Sequence, residues 1–419
     1  MLIEFRVENH RSLREEQVLS MEAGRGGDAS DVRPRHVEGV NLDLLPVVAL
    51  YGANASGKTN VLSALAFMRD AVLESANKWN PDEAIPRVPF AWGASKSQPS
   101  LFEVTFELDS IRYQYGFQLT EESIVEEWLF AWPHGKKQTW FERDGSTFKF
   151  GENLQGDNKL LQGVTRKNAL FISTAAQFAH PQLTQIVIWF RNFWLLNLGV
   201  AVNPVFKEII SEFGIVELFG STPLGFKKIR NDLLKKQFMN LLRGADMGIT
   251  DLKVESRKYT NGSTHFETIK INHGQANEEA WLPLNQESKG TQTLVRFALP
   301  IVQAVQNGGV VLCDELESSL HPVLAQTIIG QFNNPVTNPR NAQLIFTTHD
   351  TNLLGTTLGD EPALRRDQVW LTEKNAEGAT VLYPLTDFKP RKQENLERGY
   401  IQGRYGAVPY LGEFSLAAE

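Results

Sequence analysis

The stretch that decides the fold runs from residue 44 to residue 59 and reads LLPVVALYGANASGKT. Its first half is an apolar run typical of a buried strand, and its second half, residues 52–59, matches the pattern G-x-x-x-x-G-K-[ST]. The residues that follow, NVLSALAFMRDAVLE, place apolar side chains at helical spacing. In such a loop the backbone N–H groups cradle phosphate oxygens, and the helix adds its positive N-terminus. The flanking strand and helix disfavour a chance match, so the sequence predicts a nucleotide-binding α/β domain.

The loop pattern also predicts what individual side chains do. Lys58 is expected to reach the β- and γ-phosphates of ATP, and the Thr59 hydroxyl is expected to bind Mg²⁺. The residues predicted to contact the nucleotide are Gly52, Ala53, Asn54, Ala55, Ser56, Gly57, Lys58, Thr59 and Asn60.

A second apolar run, GGVVLCDE at residues 308–315, ends in two carboxylates. In a doubly wound sheet, ligands bind at the ends of such strands. Asp314 is therefore expected to hold Mg²⁺ with Thr59, and Glu315 to orient or deprotonate the attacking water in catalysis. Acidic residues at strand ends are more often solvated turns. The phosphate-loop pattern upstream favours the functional interpretation.

Two further short runs are weak signals alone, but their order along the chain relative to the first two motifs indicates a function. Residues 288–292, SKGTQ, open a predicted helix between the two motifs, and Ser288 with Gly290 at its N-terminus predicts a second anion site. Residues 347–350, TTHD, end the apolar strand after the acidic pair, where His349 could donate a hydrogen bond to a γ-phosphate. Taken alone, His349 would be read as a capping or core histidine.

This ordered set of motifs resembles the ATP-binding-cassette (ABC) ATPases, and more narrowly the branch of structural-maintenance-of-chromosomes (SMC), RecF and OLD-type ATPases. The opening FRVENHRSL at residues 5–13 resembles the strand and N-F-R-S turn of that branch. The run at residues 394–409 resembles the ending of bacterial AAA-type ATP/GTP phosphatases, a group that includes restriction-linked (Rlo) and abortive-infection ATPases. The resemblance implies an α/β fold: an ABC-type P-loop NTPase head, with a mixed sheet flanked by helices, an antiparallel β subdomain and a helical insertion.

The sequence departs from the family pattern at several positions. His10 stands where the family has Phe, and His321 in the run ESSLHP replaces the D-loop aspartate. Lys289 and Thr291 replace signature glycines, and the Q-loop glutamine is not evident, with Gln98 as the candidate that the pattern offers.

The resemblance also implies a mechanism that needs two copies of the chain. In this class, one subunit's phosphate loop binds ATP and the facing subunit's signature completes the site. Ser288 and Gly290 would then act on a neighbour's γ-phosphate, within an ATP-dependent head-to-tail dimer or a larger oligomer.

The pattern of elements predicts three parts. Residues 1–174 form the N-terminal half of the head, with an antiparallel meander over 101–150. Residues 175–245 form a helical insertion, in which the apolar stretch 187–198 is a buried helix or an interface, and residues 246–419 form the C-terminal half. About 70 residues are too few for coiled-coil arms, and no acidic cluster of the kind a fused nuclease carries follows the C-terminal motif.

Composition narrows the class of protein. The chain has 419 residues, 42 basic against 49 acidic side chains and a net charge of −7, so any nucleic-acid contact must come from a local basic patch. A single cysteine, Cys313, excludes a disulfide framework and a cysteine-rich zinc site. The charged opening and the short apolar runs predict a cytoplasmic protein without membrane contact. Two basic clusters could contact DNA or RNA: Lys227, Lys228 and Arg230 with Lys235 and Lys236, and Lys389, Arg391 and Lys392. Such clusters are more often solvated.

The resulting expectation is an ATP-binding and ATP-hydrolysing enzyme that senses a signal and regulates a separately encoded effector, a nuclease, in bacterial anti-phage defence. The alternatives are a RecF-like DNA-repair ATPase and a nucleotide-gated scaffold with little turnover.

Overall fold

A computed structural model describes residues 1–24, 30–198, 215, 227–245, 248–258, 265–274, 280–391 and 394–409. The strands are β1 (Leu2–Glu8), β2 (Gln17–Ser20), β3 (Arg35–Val37), β4 (Leu42–Leu44), β5 (Val47–Gly52), β6 (Ser100–Leu108), β7 (Ile111–Leu119), β8 (Ile124–Trp132), β9 (Gln138–Asp144), β10 (Thr147–Phe150), β11 (Phe193–Leu196), β12 (Asp251–Lys258), β13 (His265–Asn272), β14 (Trp281–Pro283), β15 (Val310–Cys313), β16 (Gln343–Thr347), β17 (Val369–Lys374) and β18 (Thr380–Pro384). The α-helices are α1 (Lys58–Glu74), α2 (Asn158–Val164), α3 (Phe171–Gln177), α4 (Leu183–Arg191), α5 (Lys227–Gly244), α6 (Lys289–Asn307), α7 (Pro322–Asn333) and α8 (Leu396–Ile401).

A mixed sheet forms the centre of the fold. Its strand order, over the described residues, is β11-β15-β16-β5-β17-β18, and every neighbouring pair is parallel except β17 with β18. Strand β5 is buried along its whole length, so its alternating side chains face two different cores. Val48 and Leu50 pack in the cluster that contains α1, whereas Val47, Ala49 and Tyr51 pack in the cluster that contains α6 and α7.

The antiparallel sheet supports the other side of α1. Its strand order is β10-β9-β8-β7-β6-β1-β2 among the described residues, and strands β6 to β10 form the meander predicted for residues 101–150. Val61 and Leu65 of α1 belong to the same buried apolar cluster as Phe102 and Phe117 of this sheet. Helix α1 therefore lies between the two sheets, which holds its N-terminus, and the phosphate loop before it, against a rigid base.

The expected fold class is confirmed: a mixed sheet flanked by helices, with an antiparallel β subdomain. Of the two alternatives for residues 187–198, a buried helix or an interface, the continuous helix is wrong. The apolar stretch 187–198 is not a continuous helix, because α4 ends at Arg191 and strand β11 follows, pairing in parallel with β15. Asn192 ends the helix and its backbone C=O accepts a hydrogen bond from the Val310 N–H (2.9 Å), which starts the pairing.

The segment 175–245, predicted as a helical insertion, thus contributes one strand to the central sheet. Helix α5 lies at its end, and residues 199–214 and 216–226 lie outside the described residues. The three-part division of the chain stays a prediction. In the described part of the chain, no helix is both long enough and apolar enough to cross a membrane.

A buried carboxylate joins the antiparallel sheet to helix α3. Glu127 on β8 is fully buried and accepts hydrogen bonds from the Phe171 N–H (2.7 Å), the Ile172 N–H (3.1 Å) and the Tyr115 hydroxyl (3.0 Å). The Arg143 guanidinium lies 3.6 Å from it. Burial raises the pKa of Glu127, whereas the Arg143 charge and the hydrogen bonds that Glu127 accepts oppose this shift.

We predict that Glu127→Ala lowers the free energy of unfolding by about 3–5 kcal/mol, because it leaves Arg143 buried without its counter-charge. Urea unfolding monitored by circular dichroism measures this change. Glu126→Ala is the matched control, since the neighbouring Glu126 is exposed and its loss is expected to change stability by less than about 0.5 kcal/mol. Equal effects of the two substitutions would show that the buried carboxylate is not a structural anchor.

Candidate functional site

Three loops meet at the carboxyl edge of the mixed sheet. Strands β5, β15 and β16 run parallel and in register, with Cys313 opposite Phe346 and Thr347 opposite Leu50. The segments that leave these strands are residues 52–59, 314–317 and 348–350. Motifs separated by more than 250 residues along the chain therefore lie side by side, at the edge where parallel α/β sheets bind ligands.

The first loop is held by a left-handed glycine and by the side chain of Lys58. Gly57 precedes α1 with φ 109°, a left-handed conformation that favours glycine. The Lys58 side chain turns back over the loop, and its Nζ donates to the carbonyl oxygens of Gly52 (2.9 Å) and Ala53 (3.1 Å). Lys58 is buried, and burial lowers its pKa, whereas the charges of three nearby carboxylates oppose that shift: Asp314, Glu315 and Glu317. The ammonium group is thus already held at the loop by the protein's own oxygens.

The predicted metal-binding residues lie in direct contact. The Thr59 hydroxyl donates to Asp314, with both carboxylate oxygens at 3.0 Å from Thr59 Oγ1. The Thr347 hydroxyl donates to Asp314 Oδ1 (2.6 Å) and fixes the carboxylate from the neighbouring strand. Hydroxyl and carboxylate oxygens are the ligands that Mg²⁺ prefers, and this cation usually combines few protein ligands with phosphate oxygens and water. Thr59 and Asp314 therefore fit Mg²⁺ bound together with a phosphate chain.

Hydrogen bonds fix the backbone of Glu315, and its side-chain carboxylate is accessible. Its φ of 49° is uncommon for a residue with a side chain. Two hydrogen bonds impose it: the Glu315 N–H donates to Thr347 Oγ1 (2.7 Å), and the Leu316 N–H donates to the Thr347 carbonyl (3.1 Å). The side chain of Glu315 is exposed at the loop edge. Such a carboxylate can orient a water molecule and accept its proton.

His349 is tied to the segment that follows the acidic pair. Its backbone N–H donates to Glu317 Oε1 (2.5 Å), and the Tyr51 hydroxyl donates to the carbonyl of the next residue, Asp350 (2.8 Å). Partial burial and the Lys58 charge lower the pKa of His349, while the nearby carboxylates raise it. The lowered pKa favours a neutral imidazole at pH 7, which can still donate one hydrogen bond.

Ser288 and Gly290 lie at the N-terminus of α6. Ser288 Oγ accepts from the Thr291 N–H (3.1 Å) as the N-cap of the helix, and it also lies 2.8 Å from Thr291 Oγ1. The side chain of Ser288 is exposed. Among the described residues no hydrogen bond joins Ser288 to residues 52–59 of the same chain.

The remaining predicted residues differ in their burial and in their hydrogen-bond partners. Ser56 is buried inside the loop, while Asn54 and Ala55 lie on its exposed rim. Asn60 is engaged within the protein, since its side-chain Nδ2 donates to Ser12 Oγ (2.7 Å). Gln98 is exposed, and no hydrogen bond connects it to the three loops within the described ranges.

The basic clusters predicted as nucleic-acid contacts are only partly described. The side chains of Lys227, Lys228, Arg230 and Lys392 lie outside the described residues. Lys236, Lys389 and Arg391 are exposed, which also fits the solvated interpretation.

Sequence reasoning missed the threonines that support the site. Thr347 fixes Asp314, and Thr372 and Thr380 contact the phosphate loop from β17 and β18. A buried threonine in an apolar strand carries no motif of its own. The signal that could have found Thr347 is a hydroxyl placed at the end of the strand before His349.

Comparison with known proteins gives one family. The family model described as "AAA domain, putative AbiEii toxin, Type IV TA system" matches residues 47–355, a span that begins at β5 and contains the loop, the acidic pair and His349. A search of curated protein sequences finds no match.

Solved structures of SMC head domains resemble the chain at low identity. One is the SMC head bound to the C-terminal winged-helix domain of ScpA (12% identity, TM-score 0.45, 91% of this chain and 96% of that one). Another is the SMC head domain from Thermotoga maritima (13% identity, TM-score 0.40, 91% and 98%). A third is an SMC head with an extended coiled coil, bound to the C-terminal domain of ScpA derived from Pyrococcus furiosus (10% identity, TM-score 0.45, 96% and 98%).

Proposed function

Because the chain belongs to the family of AAA domains described as putative AbiEii toxins, we propose that it binds ATP with Mg²⁺ at residues 52–59 and hydrolyses it. The observation that carries this proposal is the contact of Thr59 with Asp314. In sequence, buried Lys58 precedes Thr59 and exposed Glu315 follows Asp314. These four residues bring a phosphate-binding cation, a hard-metal donor pair and a base to one edge of the sheet.

Each residue has a definable task in the proposed reaction. The loop N–H groups and Lys58 bind the phosphate chain, and Thr59 with Asp314 hold the metal ion. Held by these two residues, Mg²⁺ would supply positive charge that offsets the charge of the phosphates. Glu315 orients the attacking water and takes its proton, and the neutral His349 imidazole donates a hydrogen bond to a phosphate oxygen.

The proposed reaction includes a second copy of the chain. Ser288 and Gly290 lie in the N-terminal turn of α6, Ser288 is exposed, and among the described residues no hydrogen bond joins Ser288 to the phosphate loop of its own chain. An exposed helix N-terminus can bind a phosphate presented by another molecule. ATP would thus join two chains head to tail, and hydrolysis would remove the bridge.

We predict that Glu315→Gln lowers the ATP hydrolysis rate by about 100-fold or more while ATP binding persists, because the water loses its base. With ATP and Mg²⁺ the variant should accumulate as a dimer, which light scattering during gel filtration measures. Glu361→Gln makes the same change at an exposed glutamate outside the three loops, and this variant should match the wild type in both measurements.

Four outcomes separate the proposals. An ATP-bound Glu315→Gln monomer would contradict the head-to-tail dimer, and undiminished turnover would contradict Glu315 as the base. Wild-type protein that binds ATP without turnover would favour the nucleotide-gated scaffold. Turnover that DNA stimulates would favour the RecF-like repair ATPase.

We also propose that the ATPase regulates a separately encoded effector, a nuclease, in anti-phage defence. The support is the description of the family, which names a toxin of a TA system, together with the resemblance of residues 394–409 to abortive-infection and restriction-linked ATPases. Membership of the narrower OLD- or Rlo-type branch is part of this proposal.

Co-expression with the neighbouring genes tests the effector proposal. We predict that the product of an adjacent gene co-purifies with the ATP-bound Glu315→Gln protein and is lost from Lys58→Ala protein, which should not bind ATP. If no product of a neighbouring gene co-purifies with either variant, a stable effector complex is contradicted.

A further inference from the structure

The hairpin of strands β17 and β18 holds one residue of the phosphate loop from two sides. Thr372 Oγ1 on β17 lies 2.6 Å from Ser56 Oγ, and Thr380 Oγ1 on β18 donates to the Ser56 carbonyl (2.7 Å). Both threonines are fully buried, and Ser56 is buried as well. The side chain and the main chain of Ser56 are therefore each fixed by a different strand.

The two glycines that end the loop pack against the same two threonines. A Cβ atom added to Gly52 would lie 2.5 Å from the Thr372 carbonyl oxygen, and one added to Gly57 would lie 2.8 Å from Thr380 Cγ2. Both distances are well inside van der Waals contact. The hairpin therefore packs closely against the loop at its first glycine, at Ser56 and at its last glycine.

Thr380 also connects the loop to the N-terminal turn. Ser12 Oγ lies 2.7 Å from Thr380 Oγ1, and the Ser12 carbonyl accepts from the Thr380 N–H (2.7 Å). Asn60, in the first turn of α1, donates to the same Ser12 hydroxyl (2.7 Å). The Ser12 hydroxyl therefore connects the turn that follows β1 to the hairpin and to the first turn of α1.

These contacts matter because the loop lacks a regular hydrogen-bonding ladder. Residues 53–56 lie between β5 and α1, so neither element pairs with them. Loss of a buried hydroxyl leaves the Ser56 carbonyl without that donor, and an unpaired buried group is costly. A preorganised cradle binds its ligand more tightly because less order is lost on binding.

We propose that Thr372 and Thr380 are positioning residues, which hold Ser56 and so keep the loop N–H groups in their phosphate-binding arrangement before a nucleotide binds. The inference rests on the proposed nucleotide-binding function. In this proposal, the backbone conformation of the loop depends on a hairpin that lies more than 300 residues away in sequence. The threonines act through Ser56 and are not themselves expected to touch phosphate.

The test combines two measurements on the full-length chain. Thr380→Val and Thr372→Val keep the side-chain volume and remove the hydroxyl. Affinity for a fluorescent ATP analogue (mant-ATP with Mg²⁺) should fall by about tenfold for each, and Thr380→Ser should recover the affinity to within about twofold. In protein without nucleotide, hydrogen exchange of the amides of residues 53–58 should become about tenfold faster in both valine variants.

Thr174→Val is the matched control. Thr174 is also buried, and its Oγ1 also donates to a backbone carbonyl, that of Leu170 (3.2 Å), but on α3. Its loss should lower thermal stability and leave both mant-ATP affinity and loop exchange at wild-type values.

The outcomes separate this inference from the proposed function. If both valine variants keep wild-type affinity and wild-type loop exchange, or if Thr174→Val changes both equally, the positioning inference is overturned. If wild-type protein fails to bind mant-ATP, the proposed function fails, and the exchange measurement alone still decides whether the threonines hold the loop.

Discussion

The parallel, in-register pairing of three buried strands is the constraint on which the site depends. Strands β5, β16 and β15 end at the same edge of the sheet, so the loop, His349 and the Asp314–Glu315 pair must meet there. Thr347 makes the alignment specific, because its hydroxyl donates to Asp314 and accepts from the Glu315 N–H. A slip of one residue between β15 and β16 would turn the side chains of the moved strand to the other face and separate Thr347 from Asp314.

The charges at this edge explain why a metal ion belongs to the proposed complex. Three carboxylates lie near the single ammonium group of Lys58, and the lowered pKa of His349 keeps its imidazole neutral at pH 7. The edge is therefore net negative, and a nucleotide alone would add further negative charge. A divalent cation held by Thr59 and Asp314 would offset both charges, which supports the proposal that this pair and the phosphate loop act together.

Local sequence patterns predicted the residues that are proposed to bind the nucleotide and the metal ion. The loop 52–59 combines a fixed spacing with a buried strand and a helix, and Asp314 ends a short apolar strand, so both were recognisable from neighbouring residues. The meander of β6 to β10 was predictable for the same reason, because alternation and turns are local signals.

The parts that escaped prediction depend on tertiary contacts. Strand β11 reads as a continuation of α4, because four apolar residues fit either structure until β15 is available to pair with them. Thr372 and Thr380 carry no pattern, since their importance comes from Ser56, which lies far away in sequence. Asn60 directly follows the loop motif and was predicted to contact the nucleotide, yet in the structure its side chain donates to Ser12.

Titration calorimetry of ATP with Mg²⁺ tests the central claim most directly. Lys58 is buried and bonded to two loop carbonyls, so its removal deletes the cation of the cradle. We expect saturable binding to wild-type protein and to Lys149→Ala, which changes an exposed lysine on β10. The affinity of Lys58→Ala should be at least about 100-fold weaker. Wild-type affinity in a folded Lys58→Ala protein would contradict the assignment of residues 52–59 as the nucleotide site.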